Sequence, residues 1–191
     1  MTIETVRMEH HNKHQIPDPD WNTVPLRSLI KHIVETHHAY LQTELPALDK
    51  LIARLAQQCP DGTILPELHR AIKHLNRELE LQMRKEETIL FPAILELEAT
   101  LAAGGQPDYS PFGSVANLSR ATTQDHEKAA RALQEIRQLT NNYTCAKDCA
   151  PGMTELIRRL ATLATDLHRH VHLENDIVFP RAVDLERGET R

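Results

Sequence analysis

Two sets of metal-binding residue types recur in this chain at one fixed offset of 88 positions. Glu86 and Glu174 are related in this way, as are His38 and His126, and Phe91-Pro92 and Phe179-Pro180. His170 stands four residues before Glu174. At the matching place before Glu86 stands Gln82. His38 and His126 each precede those two places by 44 residues. A doubled His…His-x-x-x-Glu pattern predicts a metal site shared by two helical hairpins. The glutamine makes the repeat unequal.

The flanking residues provide the helices. Leu26, Ile30, Ile33, Leu41, Leu45, Leu48 and Leu55 recur at three- and four-residue steps, up to a stop at Cys59-Pro60-Asp61-Gly62. A second stripe runs from about Ile64 to Ala103, through Leu68, Ile72, Leu75, Leu79 and Leu90, and ends at Gly104-Gly105. A third runs from Val115 to Asn141-Asn142. A fourth begins after Pro151-Gly152, and the charged tail after Asp184 is expected to fray. No segment alternates with period two. The expected fold is therefore all-α: an up-down-up-down four-helix bundle over residues 22–187, preceded by a flexible arm over 1–21. Pro46, Pro92 and Pro180 fall inside helical patterns, and each is expected to kink its helix.

Composition narrows the function. A chain of 191 residues with net charge −5 lacks the concentrated positive face that phosphate binding needs, so no nucleic-acid partner is expected. No apolar run is long enough to span a bilayer and no signal pattern opens the chain, so a cytoplasmic protein without a membrane partner is expected. Cys59, Cys145 and Cys149 are too few and odd in number for a disulfide framework. Cys145 and Cys149 are expected to be free loop thiols. No Gly-x-Ser-x-Gly or phosphate-loop motif is present. Glu78 and Tyr40 are candidate catalytic groups on pattern alone, and no general base is assigned.

His38, Gln82, Glu86, His126, His170 and Glu174 interrupt the apolar stripes and are expected to point into the bundle. Residues four apart share a helix face, which pairs Gln82 with Glu86 and His170 with Glu174. An ionised carboxylate in an apolar core is costly unless it is paired or binds metal. Two such carboxylates facing three imidazoles suit first-row transition metals. His37 lies about 100° round from His38 and is expected to face elsewhere.

These residues resemble the hemerythrin-like, HHE-type bundles, and among them most closely the iron-sulfur cluster repair di-iron proteins. The resemblance rests on Leu29 to Leu41, Glu44-Leu45-Pro46, Lys85 to Pro92, Asp125-His126-Glu127 and Leu167 to Ala182, and spans roughly residues 21–184. It implies a non-haem di-iron centre, two iron ions bridged by carboxylates and by an oxo or hydroxo group. By position, His38 would serve one iron, His126 and His170 the other, with Glu86 and Glu174 bridging. Gln82 falls where the family has a further histidine. The amide oxygen of Gln82, the carboxylate of Glu78 or a water would fill that place, leaving one iron labile. Tyr40 and Cys59 are candidates for the surrounding shell. Cys59 occupies a region where relatives tend to carry histidine, and residues 1–20 contain no counterpart of the cysteine-containing module that precedes many relatives.

The resemblance further implies a role in the nitrosative and oxidative stress response. There the protein would repair iron-sulfur clusters by iron donation or nitric oxide chemistry, with iron-sulfur proteins as clients. The alternatives are a module that binds or senses dioxygen or nitric oxide reversibly, and a bundle with one metal or none.

Overall fold

The computed structural model describes residues 19–58, 64–106, 113–145 and 151–189. Among them are four long helical rods and no strand. Rod α1 joins the α-helical segment Leu26–His32, the π-helical segment Ile33–His38 and the α-helical segment Ala39–Gln58. Rod α2 joins Leu65–Lys85, a π segment Glu86–Leu90, and Phe91–Ala102. Rod α3 is the uninterrupted α-helix Val115–Leu139. Rod α4 joins Pro151–His172, a π segment Leu173–Val178, and Phe179–Arg187. The expected all-α bundle is the one observed, with α2 packed along both α1 and α3, and α1 along α4.

The ends of the rods show why they alternate in direction. Glu98, near the end of α2, accepts hydrogen bonds from the backbone N–H groups of Leu26 at 2.7 Å and Arg27 at 3.2 Å, at the start of α1. Glu186, near the end of α4, accepts from Val115 at 2.7 Å and Ala116 at 3.1 Å, at the start of α3. The first N–H groups of a helix have no partner within it and carry the positive end of its dipole, so a carboxylate from the neighbouring rod satisfies both needs. The two acceptors obey the same repeat as the site, Glu98 and Glu186 being 88 apart, while the paired donors are shifted by one residue more. Arg181 adds a further tie by donating to the carbonyls of Trp21 and Val24.

The tail of α4 differs from expectation. The rod runs to Arg187 and is closed by Gly188, whose φ of 72° allows the left-handed turn that hydrogen-bonds Glu189 N–H back to Asp184. Its use as a cap for α3 explains why the charged tail stays helical. Cys145 also differs: it is disulfide-bonded, which overturns the free-thiol reading for it. The residues Asn141, Asn142 and Tyr143, all at positive φ, turn the chain back so that Cys145 Sγ lies 3.7 Å from Thr154 Oγ1 on α4. A count of cysteines carries no information about such a return. Cys59 and Cys149 lie outside the described residues.

The prolines act through a local change of winding. Pro92 and Pro180 each stand second in the α-helical stretch that follows a π segment. A proline has no N–H to give and crowds the carbonyl one turn back, and a wider i→i+5 turn relieves both problems. Pro46 lies within the continuous segment Ala39–Gln58.

The core has two apolar parts. One contains Leu41, Leu48, Leu68, Leu75, Leu133 and Leu160, and the other Leu26, Ile33, Phe91, Ile94, Val178 and Phe179. The buried polar residues His38, Gln82, Glu86, His126, His170 and Glu174 form the layer between them. No described helix is long and apolar enough to cross a membrane.

If the carboxylate caps hold the rods in register, Glu98→Ala and Glu186→Ala each lower unfolding stability by about 1 kcal/mol, the usual worth of an N-terminal cap. Urea unfolding should show a lower midpoint at unchanged slope; an unaltered midpoint in both variants would remove the caps from the account.

Candidate metal centre

Glu86 and Glu174 are both 0% exposed, and three imidazoles are turned toward them through Nε2. His38 Nε2 lies 3.3 Å from Glu86 and 3.9 Å from Glu174. His126 Nε2 lies 3.4 Å from Glu86 and 3.0 Å from Glu174. His170 Nε2 lies 3.0 Å from Glu174 and 3.1 Å from His38 Nε2. One ligand atom from each of His38, Glu86, His170 and Glu174 falls within 4.8 Å of the other three.

Winding places these groups. His38, Glu86 and Glu174 all lie in π segments, and His170 stands just before one. An i→i+5 turn holds more residues than an α turn, so neighbours along the chain are less separated in angle. This explains why His37, expected to face away, is buried beside His38. His37 Nδ1 hydrogen-bonds Asp166 at 2.9 Å, and its ring lies parallel to that of His170 with centroids 5.6 Å apart.

The outward nitrogens of two of the histidines are anchored by the same device. His38 Nδ1–H donates to Glu87 at 2.7 Å, and His126 Nδ1–H donates to Asn175 at 2.9 Å. Phe91 stacks on His38 at 5.8 Å, and Phe179 stacks on His126 at 6.0 Å. Such outer partners fix the tautomer and direct the lone pair of Nε2 inward. Sequence reasoning missed Glu87 and Asn175, although each directly follows a buried glutamate and they too are 88 apart.

The donor set fits a cation. Beyond these imidazole–carboxylate contacts, both oxygens of Glu86, one of Glu174, and Nε2 of His126 are buried with no other hydrogen-bond partner. Two imidazole nitrogens facing each other at 3.1 Å need a proton or a metal between them. Buried carboxylates and imidazoles left in this state are costly, and first-row metals take this ligand mixture. In the metal-free protein protons take the role. Burial alone would lower the pKa of His38 and of His126, but hydrogen bonds to Glu174 and Glu86, and their charges, push both up to about 10. Burial would raise the carboxyl of Glu174, yet the surrounding histidines hold it well below the usual carboxylate range.

The geometry groups the imidazoles differently from the expected pairing. His170 sits 4.9 Å from His38, centroid to centroid, but 6.5 Å from His126. The half of the cluster short of an imidazole is thus the one at His126, on α3. Gln82 is 2% exposed, lies on α2 one turn before Glu86, and leaves both amide atoms without a partner. Spacing along one rod cannot reveal which rods stand nearest each other, and for that reason the sequence misassigned the poor half.

The other candidates lie elsewhere. Glu78 is on a surface groove with His74, Lys128 and Arg131, 3.9 Å from both His74 and Arg77. Tyr40 is half-buried near Glu44, Asp166 and Arg159; burial first, then the two carboxylates, push its hydroxyl up to about 12. His172 is exposed and pairs with Asp176. Cys59 is outside the described residues.

Fold and site together define a class: an antiparallel helical bundle with a buried histidine–carboxylate cluster at mid-length. Residues 29–182 match the family described as Hemerythrin HHE cation binding domain, and the chain belongs to that family. It is 28% identical over 185 residues to the Iron-sulfur cluster repair protein YtfE of Escherichia coli O157:H7, covering 96% of this chain and 78% of the relative. The protein of the same name from Citrobacter koseri gives the same identity and coverage. That from Escherichia coli O81 is 29% identical over 167 residues, 87% of this chain and 70% of the relative.

The raised histidines and the depressed glutamate set a pH profile for the metal-free protein. Stability from His38 and His126 is full below their unfolded value of 6.5 and is lost as pH rises through about 10. That from Glu174 is present above 4.5 and is lost as pH falls. Thermal unfolding in a chelator should therefore peak between those limits and decline toward pH 10. In the His38→Gln variant the alkaline decline should be shallower; an identical decline would sink the assignment.

Proposed function

We propose that this chain is a non-haem iron protein that serves the repair of iron-sulfur clusters, with iron as the cargo it delivers. The reading is carried by one observation: three imidazole nitrogens converge on two fully buried carboxylates. It is supported by the relatives named as iron-sulfur cluster repair proteins. The bundle, residues 22–187, would be the working domain, and iron-sulfur proteins its clients.

His38, His170, Glu86 and Glu174 would hold one iron, and His126 with the same two glutamates a second. Bound iron would supply Lewis acidity and one-electron chemistry. The residues themselves do the rest. Glu87 and Asn175 hold two of the imidazoles in the tautomer that presents a lone pair, and the apolar parts of the core exclude water on both sides. Gln82 offers a neutral, weakly donating amide where an imidazole would add a strong ligand. The iron at His126 is then the labile one, and release begins there. Since His38 and His126 are protonated without metal, loading expels protons and tightens as pH rises.

A second reading is reversible capture of nitric oxide or dioxygen, again in the context of stress. The unpartnered amide of Gln82 favours it, because a ligand-poor half can admit a small molecule.

The test is anaerobic loading with Fe(II), a count of iron per chain, and transfer to an iron-sulfur protein stripped of its cluster, with sulfide present. Loaded protein should restore the client faster than chelator-buffered iron. Failure to retain iron, or to transfer it, rejects donation; spectral change on nitric oxide without transfer favours capture. Gln82→His should raise iron retention toward a full pair and slow transfer. Unchanged retention would mean the amide or another group already fills that place.

A further inference from the structure

One imidazole of the cluster lacks the anchor the others have. His170 is 0% exposed, its Nε2 faces the glutamates, and its Nδ1 is buried without a hydrogen-bond partner. A buried donor in that state costs about 1–3 kcal/mol, so a partner is expected nearby. Asp166 stands one helical turn before His170 on the same face of α4. Its Oδ1 is bonded to His37 Nδ1 at 2.9 Å, while its Oδ2 is buried and unpartnered. The ring of His37 lies parallel to that of His170, within 4°. His37, itself 2% exposed, thus ties the Asp166 carboxylate to a ring that stacks on His170.

We infer that Asp166, held by His37, is the positioning residue for His170, taking its Nδ1–H through one bridging water. It does for His170 what Glu87 does for His38 and Asn175 for His126. A water suits the place because it joins a donor and an acceptor that do not meet directly.

The internal repeat supports this assignment. The counterparts of His37, Asp166 and His170, 88 positions away, are Asp125, Glu78 and Gln82. Asp125 is engaged by Lys85 and Lys128 at 2.6 Å each, and Glu78 lies on the surface groove by His74 and Arg77. Where the inner histidine is absent, the outer pair is turned to surface ions. Where it is present, the pair is a His–Asp unit whose buried histidine stacks on it. Asp166 is also the only one of the three anchors we assign that lies on the same rod as the histidine it serves.

The inference rests on the reading that the cluster binds iron, and the experiment separates the two. Fe(II) affinity is measured anaerobically by chelator competition, and the reduction midpoint of the bound iron by redox titration. Both are done on the full chain, for wild type, Asp166→Asn, Asp166→Glu and, as a control that removes another part-buried carboxylate, the partner of Arg159, Glu44→Gln. If wild type binds no iron, the metal reading fails before Asp166 is tested. If it binds, Asp166→Asn should weaken affinity about ten- to hundredfold, the usual effect of losing an outer partner. It should also raise the midpoint, because loss of a negative charge favours the reduced metal. Asp166→Glu, which keeps the charge, should recover much of both, and Glu44→Gln should change neither. A merely structural Asp166 would lower thermal stability and leave the midpoint in place. An unmoved midpoint and affinity in Asp166→Asn overturn the inference; should that variant not fold, a wild-type midpoint in His37→Gln does so.

Discussion

The charge of Glu86 and Glu174 governs this bundle. Two carboxylates with no exposure, inside a layer bounded on both sides by leucine, isoleucine and phenylalanine, would each be disfavoured by several kcal/mol if left ionised and alone. The cluster answers with imidazoles from three rods, and the imidazoles need outward partners in their turn. Each requirement therefore recruits the next, from the carboxylates at the centre to Glu87, Asn175 and Asp166 around them. The π segments belong to the same demand. A regular α-helix sets successive side chains about 100° apart, and the wider π turn brings His37 and His38 closer to one inward face.

Most of the fold was legible in the sequence, because a four-helix bundle states itself through three- and four-residue apolar steps and glycine or asparagine stops. Residues 86, 174, 38, 126 and 170 were legible for a related reason: an 88-residue echo is too specific to arise from packing alone. What stayed hidden depends on contacts between rods or on local winding. The proximity of His170 to His38 rather than His126 is a fact about neighbours in space. The π segments shift side-chain angles without a residue type to mark them, and the prolines marked only two of the three. Glu87 and Asn175 received no role from the sequence, although the echo runs through them. Glu78 was judged by its spacing from Gln82 alone, whereas surface cations compete for it. Cys145 shows the limit of counting, since an odd total of cysteines does not say which of them is bonded.

The repeat also explains what kind of asymmetry this chain has. The caps Glu98 and Glu186, the anchors Glu87 and Asn175 and the stacking rings Phe91 and Phe179 all preserve it. It breaks together at three related positions, with His37, Asp166 and His170 in one half and Asp125, Glu78 and Gln82 in the other. Among the residues of the site, these three changes fall on one functional unit, an inner ligand with its outer support. Random drift in a scaffold that had lost its metal would have no reason to spare the two central carboxylates, which are the costliest groups to keep buried.

In the two-metal reading proposed above, such a break would give the two halves different chemistry. Glu86 and Glu174 would be shared, so a cation held at His38 and His170 would lower the negative charge available to one at His126, and binding at the two places would be coupled through those carboxylates. An imidazole at position 82 would offset that loss with its own lone pair. An amide offsets far less, because its oxygen is a weaker donor and its N–H₂ group cannot face a cation. On that reading the half at His38 and His170 would keep its cation, and the half at His126 would be the one whose occupancy changes. A single residue of the wrong type for the repeat would then be sufficient to divide a symmetric pair of sites into one that stays filled and one that exchanges.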